Sequence, residues 1–138
     1  MLKSCSSCGH IHDSKHICDQ KQKLINERQK KFKEKNLEIY RFRNSKAWQD
    51  KREEIKERDL YICQICIRNL YGTTNQFTYD NTSVHHAIPL HKDFDKRLDN
   101  ENLITTCEVH HEKMECGEIP TLEVLRIIKE QGNANVKR

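Results

Sequence analysis

The stretch Leu103-Ile104-Thr105-Thr106-Cys107-Glu108-Val109-His110-His111 decides the fold. Residues 103–106 read as a short strand, and residues 108–115 have helical composition. The junction carries Cys107-x-x-His110, which repeats the two-residue gap of Cys63-x-x-Cys66 upstream. Cys63, Cys66, Cys107 and His110 therefore have the residue types and paired spacing of a structural zinc site, able to clamp two distant segments together. Nested inside that pair of pairs are His85, His86, Asn102 and then His111. A strand is predicted over 82–85 and a charged loop over 89–99. Strand, loop, strand and helix, with histidines on the first strand and the helix, predict an α+β fold: a ββα unit around a metal, stapled by zinc.

Composition limits what else the chain can be. With 138 residues, 35% hydrophobic content and a third of its residues charged, it can bury one modest core. A metal staple compensates for a thin core. The seven cysteines are an odd count, and Met1-Leu2-Lys3-Ser4-Cys5 lacks an apolar signal run, so reduced, metal-binding thiols in a cytoplasmic protein are expected rather than a disulfide framework. No stretch approaches the roughly 20 apolar residues of a membrane span. No membrane partner is expected, nor any small-molecule cofactor.

The N-terminal residues 1–18 read as a zinc-knuckle-like segment, with Cys5-x-x-Cys8, Gly9, His12, His16 and Cys18. Cys5, Cys8, His12 and Cys18 form the preferred ligand set, with His16 as the alternative to His12, because His16 and Cys18 flank a single residue and would point apart in an extended segment. Residues 19–44 are expected to be a basic linker, flexible or loosely helical. Residues 19–60 carry a net charge of +5 and residues 61–138 one of −2, a distribution suited to holding a polyanion with one part and acting on it with another. A solvated linker has the same composition.

A compact domain is expected over 45–131, followed by a tail over 132–138. Ser45 is placed as an N-cap, with Trp48, Ile55 and the stem of Arg52 on one helical face and Arg58 and Asp59 closing the segment. Trp48 reads as a core anchor. From Tyr61 the pattern changes to short strands and loops. Pro120 and Thr121 begin a last helix with Leu122, Val124, Leu125, Ile127 and Ile128 as its apolar face, ended by Gly132. His10 and His91 read as surface residues, Cys116 as an unpaired thiol, and Phe77 and Tyr79 as hairpin packing.

These residues resemble the HNH endonuclease family, also called His-Me finger nucleases. The resemblance lies in Val84-His85-His86-Ala87-Ile88-Pro89-Leu90, in Leu98-Asp99-Asn100-Glu101-Asn102-Leu103 and in Cys107-Glu108-Val109-His110-His111. It spans about residues 46–115 and implies a metal-dependent DNA endonuclease. His86 is then the general base, His85 and His111 hold the catalytic metal, and Asn102 orients His86 or fixes the loop. Many family members carry Asp before the base where this chain has His85, so an all-imidazole pair is expected to suit Mn2+, Ni2+, Co2+ or Zn2+ better than Mg2+. Lys30, Lys31, Lys33, Lys35, Arg41, Arg43 and Arg52 are the expected DNA contacts. The structural zinc count is one, or two if the N-terminal set binds. The Trp48 helix, the first cysteine pair and the N-terminal knuckle are similar to small HNH proteins of tailed bacteriophages encoded beside terminase genes. That similarity implies the terminase large subunit as a partner, host cytoplasm as the location and assistance to DNA packaging as the role. The alternatives are a noncatalytic zinc-finger DNA-binding or adaptor protein, and an RNA-directed or structure-specific nuclease.

Overall fold

Ser45 separates two helices by serving both. Its backbone N–H and its hydroxyl both donate to the Phe42 carbonyl, at 3.0 and 2.6 Å, closing the helix before it. Its Oγ then accepts from Trp48 N at 3.2 Å, with an extended backbone that N-caps the helix after it. The computed structural model describes residues 1–136. It divides into two units, Met1–Arg41 and a second that begins at Phe42.

In the first unit β1 (Leu2–Ser4) pairs antiparallel with β2 (Ile11–Asp13), Lys3 opposite His12. The connection turns at Gly9, whose φ of +75° is open to glycine, and Gly9 N–H donates to the Cys5 carbonyl at 2.8 Å. Helix α1 (Asp19–Arg43) follows. The segment read as a flexible or loosely helical linker is one continuous helix. It contains no Gly or Pro, it is rich in Lys, Gln, Glu and Arg, and Asp19 sits favourably in its first turn. Leu24, Phe32, Leu37 and Tyr40 are exposed on it.

In the second unit α2 (Lys46–Arg58) buries Trp48 and Ile55 and ends at Asp59. The chain then reverses through Leu60 and Tyr61, both at left-handed φ. It enters α3 (Gln64–Ile67), a single helical turn with Cys63 as its N-cap, within the region read as short strands and loops. A loop exposes Phe77 and Tyr79, which therefore do not pack as a hairpin. Strand β3 (Ser83–His86) pairs antiparallel with β4 (Leu103–Thr106) in the register Ser83 to Thr106 and His86 to Leu103. The first strand lies one residue later than predicted, because His86 still finds a partner in Leu103.

Helix α4 (Glu108–Glu115) leaves β4 through Cys107, and α5 (Thr121–Val136) covers the core. Ile65, Ala87, Ile104, Ile119, Val124, Ile127 and Ile128 bury together around Cys63, Cys66 and Cys107. Leu122 is 81% exposed, so the apolar face of α5 is set by Val124, Ile127 and Ile128 instead. The helix also continues past Gly132 rather than ending there. Gln131 and Asn135, one turn apart, both donate to the Arg58 carbonyl, at 3.1 and 3.2 Å, and so hold its last turns against the end of α2. Of the predicted tail, residues 137 and 138 lie outside the described residues. No helix among the described residues is long and apolar enough to cross a membrane.

Asp59 ties α2 to the sheet. It is fully buried, takes a forked pair of bonds from Arg58 at 2.8 and 3.0 Å, and accepts Thr105 N–H at 2.8 Å. Arg58 in turn donates to the carbonyls of Asn100 and Leu103. Removing the carboxylate strands a buried strand amide and a half-buried guanidinium. Asp59→Ala should therefore cost about 3 kcal/mol in urea unfolding. A loss below about 0.5 kcal/mol would contradict this role.

Candidate active site and metal clusters

Three groups of metal-ligating side chains form among the described residues. The first joins α3 to the junction of β4 and α4. Cys63, Cys66, Cys107 and His110 are all buried. His110 Nδ1 lies 3.5, 3.3 and 3.3 Å from the sulfurs of Cys63, Cys66 and Cys107, and the Cys66 and Cys107 sulfurs are 3.7 Å apart. A tetrahedral zinc with bonds of about 2.3 Å to sulfur and about 2.05 Å to nitrogen has edges of about 3.8 and 3.6 Å. The four donors thus stand at the corners of a site of that size. His110 Nε2 is 3.2 Å from the Tyr71 carbonyl, which can only accept, so the proton sits on Nε2 and the Nδ1 lone pair faces the thiols. Burial pushes the Cys63 thiol up to about 12, so without a cation it stays protonated.

The second group is His85, His111 and Glu115, whose donor atoms all lie within 4.8 Å of one another. Strand alternation turns His85 and His86 to opposite sides. The His85 ring meets His111 edge-on at 4.6 Å between centroids, while His86 stacks on Trp48 at 4.8 Å and 25°. Burial holds His85 down at about 4, with His111 and His86 as further causes, so its imidazole is neutral and keeps a lone pair for a cation. Glu115 follows His111 by one helical turn on α4, with Oε1 3.6 Å from His111 Nε2. Sequence reasoning missed Glu115. Its four-residue offset from His111 on a predicted helix was the available signal.

His86 is held on several sides. Phe42 meets its ring edge-on at 6.1 Å, and the Trp48 indole covers one face. Its Nε2 lies 3.0 Å from the Arg97 carbonyl. A carbonyl accepts only, so Nε2 carries the proton and Nδ1 the lone pair. Burial also lowers its pKa, against the Arg97 contact, which raises it.

Asn102 does not touch His86 in any of its hydrogen bonds. Its Oδ1 accepts Ile88 N–H at 2.7 Å, and its Nδ2 donates to the carbonyls of Ile88 and Lys96 at 3.1 and 3.4 Å. The side chain is 2% exposed and pins both ends of the loop that carries the Arg97 carbonyl. Of its two expected roles, fixing the loop is the one its contacts make.

The third group, Cys5, Cys8, His12 and Cys18, lies within the first unit, with the Cys5 and Cys18 sulfurs 3.8 Å apart. His16 is not among its donors; its ring packs edge-on against His12. The backbone N–H groups of Cys8 and then Ser7 pull the Cys5 thiol down to about 6. Lys30, Lys31, Lys33, Lys35 and Arg41 are exposed on α1 in that unit. Arg43 is exposed in the second unit, and Arg52 is half-buried there, donating to Gln49 at 3.4 Å. Cys116 is a free, exposed thiol.

Residues 63–115 match the family model described as HNH endonuclease. Among solved structures, the crystal structure of the HNH endonuclease of the deep-sea thermophilic bacteriophage GVE2 with manganese ion is similar to this chain. The two are 28% identical, the match covers 62% of this chain and 86% of that one, and the TM-score is 0.54. No curated protein matches. The matched segment runs from the first ligand of the buried tetrad to Glu115, the last residue of the histidine and glutamate cluster. Over residues 63–115 this chain is thus similar to HNH endonucleases.

Proposed function

We propose that the chain hydrolyses DNA phosphodiester bonds with His86 as general base. One observation carries this reading: a histidine fixed in a single tautomer by the Arg97 carbonyl adjoins, in sequence, a cluster of two histidines and a glutamate fit for a divalent cation. His86 Nδ1 takes the proton of a water as its oxygen forms the new bond to phosphorus. The bond to the leaving oxygen breaks, and solvent reprotonates that oxygen. His85, His111 and Glu115 would hold a divalent cation, which when bound would supply positive charge against that growing on the phosphate and on the leaving group. Asn102 acts as a positioning residue, through the loop that presents the Arg97 carbonyl.

The buried tetrad Cys63, Cys66, Cys107 and His110 is assigned to a structural zinc, on the strength of its edge lengths and donor set. For the catalytic cation, two imidazoles and one carboxylate favour Mn2+ or Ni2+ over Mg2+, which prefers a shell of oxygens. The solved phage relative holds manganese, which supports a divalent cation of this class.

DNA is the substrate class, and the exposed cations of α1, namely Lys30, Lys31, Lys33, Lys35, Arg41 and Arg43, with Arg52 on α2, supply backbone contacts with little base reading. A bacteriophage origin and assistance to the terminase large subunit in DNA packaging form the narrower proposal, resting on the phage relative and the resemblance of the N-terminal segments.

His86→Ala should lower nicking or linearisation of supercoiled plasmid by about 100-fold or more while leaving DNA binding intact. Unchanged cleavage would remove His86 from the base role, and binding by a wild type that never cuts under any metal would favour the noncatalytic adaptor reading. In a cation series at low salt, Mn2+ or Ni2+ should exceed Mg2+; a clear Mg2+ optimum would argue against His85 as ligand. If about six phosphates are neutralised, duplex affinity should fall about 1000-fold between 50 and 200 mM salt. A flat salt response would take the basic residues out of the interface.

A further inference from the structure

The first unit has almost nothing to fold around. Its two strands are three residues each, Leu2 and Ile11 are both 72% exposed, and a hairpin of that size does not hold by itself in water. The following helix is exposed in this unit apart from half-buried Ile25 and Ile39, and buries no side chain fully there. Isolated helices are marginal without packing or a fixed first turn. Something other than an apolar core must order these residues.

We propose that the sulfurs of Cys5, Cys8 and Cys18 and Nε2 of His12 form a second tetrahedral site for a thiophilic dication of the zinc class, which staples the hairpin to the first turn of α1. The donor atoms all lie within 4.8 Å of one another, and the Cys5 to Cys18 separation of 3.8 Å equals the sulfur edge of such a tetrahedron, about 3.8 Å. At that distance no disulfide joins them, since the bond requires about 2.05 Å. The histidine atom is decided by its other nitrogen. His12 Nδ1 lies 3.1 Å from the Asp13 carbonyl, an acceptor, so Nδ1 carries the proton and Nε2 the lone pair. Nε2 is buried and has no hydrogen-bond partner, which is the state of a ligand atom whose cation is to be added.

The backbone around the donors is already shaped for the ion. Gly9 N–H bonds to the Cys5 carbonyl and Cys5 N–H to the His10 carbonyl, folding the first cysteine pair into a tight knuckle. Cys18 is the residue whose carbonyl accepts Gln22 N–H at 2.9 Å, so it is where α1 begins. A bond from its sulfur to the ion couples metal binding to helix initiation. The cations of α1 are thereby held on an ordered helix only while the ion is present.

The inference stands apart from the nuclease reading, because its test counts metal rather than cleavage. The full chain is loaded with Co2+, and the equivalents giving sulfur-to-metal charge transfer are counted; the histidine and glutamate cluster has no sulfur and adds nothing to that band. Two such equivalents are expected, one per cysteine cluster. Cys8→Ser, Cys18→Ser and His12→Ala should each lower the count to one, with Cys18→Ser also reducing helical ellipticity, whereas His16→Ala should keep both. A count of one in the wild type would overturn the proposal. So would loss of the site in His16→Ala but not in His12→Ala, or a Cys5 to Cys18 disulfide in the metal-loaded protein.

Discussion

The second unit depends on the meeting of Cys63 and Cys66 with Cys107 and His110. These residues lie about 40 positions apart in sequence and converge in a space where each sulfur is within about 3.5 Å of one imidazole nitrogen. Cys107 is both a member of the tetrad and the N-cap of α4, so closing the tetrad fixes where that helix starts. His110 lies inside the tetrad, and its neighbour His111 faces the other cluster. One closure thereby places a histidine of the His85, His111 and Glu115 cluster. Burial that raises the Cys63 thiol makes the same pocket unfavourable for thiolates until a cation compensates them, which links metal binding to proton release and to folding.

Around His86 the division of labour is different. Aromatic packing by Trp48 and Phe42 sets the plane of the ring, and a backbone carbonyl sets its proton. That carbonyl belongs to a loop rather than a regular element. Asn102 braces that loop, satisfying both backbone groups of Ile88 and reaching Lys96, the neighbour of Arg97. A buried amide side chain is suited to this because it both donates and accepts, and neither Asp nor Leu at that position could do both.

Much of this was legible in the residues because it is local. The tetrad is a spacing pattern, and β4 and α4 follow from composition at the junction that carries it. The Ser45 cap and the buried Trp48 and Ile55 follow from helical periodicity. What could not be read was set by distant partners. Gly132 looks like a stop until Gln131 and Asn135 are seen bonded to the Arg58 carbonyl, more than 70 residues away. Leu122 looks like core, yet Val124, Ile127 and Ile128 fill the space. Glu115 carries no motif letter and enters the cluster only because α4 turns it beneath His111. The helix over 19–43 was hidden for another reason, since a charged segment without an apolar stripe has the same composition whether it is ordered or not.

A metal at Cys63, Cys66, Cys107 and His110 would hold the second unit together. Trp48, the single tryptophan, stacks on His86 and reports on that unit directly. The measurement is urea unfolding followed by Trp48 fluorescence, on protein as purified, after stripping by a strong chelator, and after zinc is restored. The cooperative transition should be lost or move to much lower urea on stripping and return with zinc. An unchanged midpoint and cooperativity in demonstrably metal-free protein would contradict it.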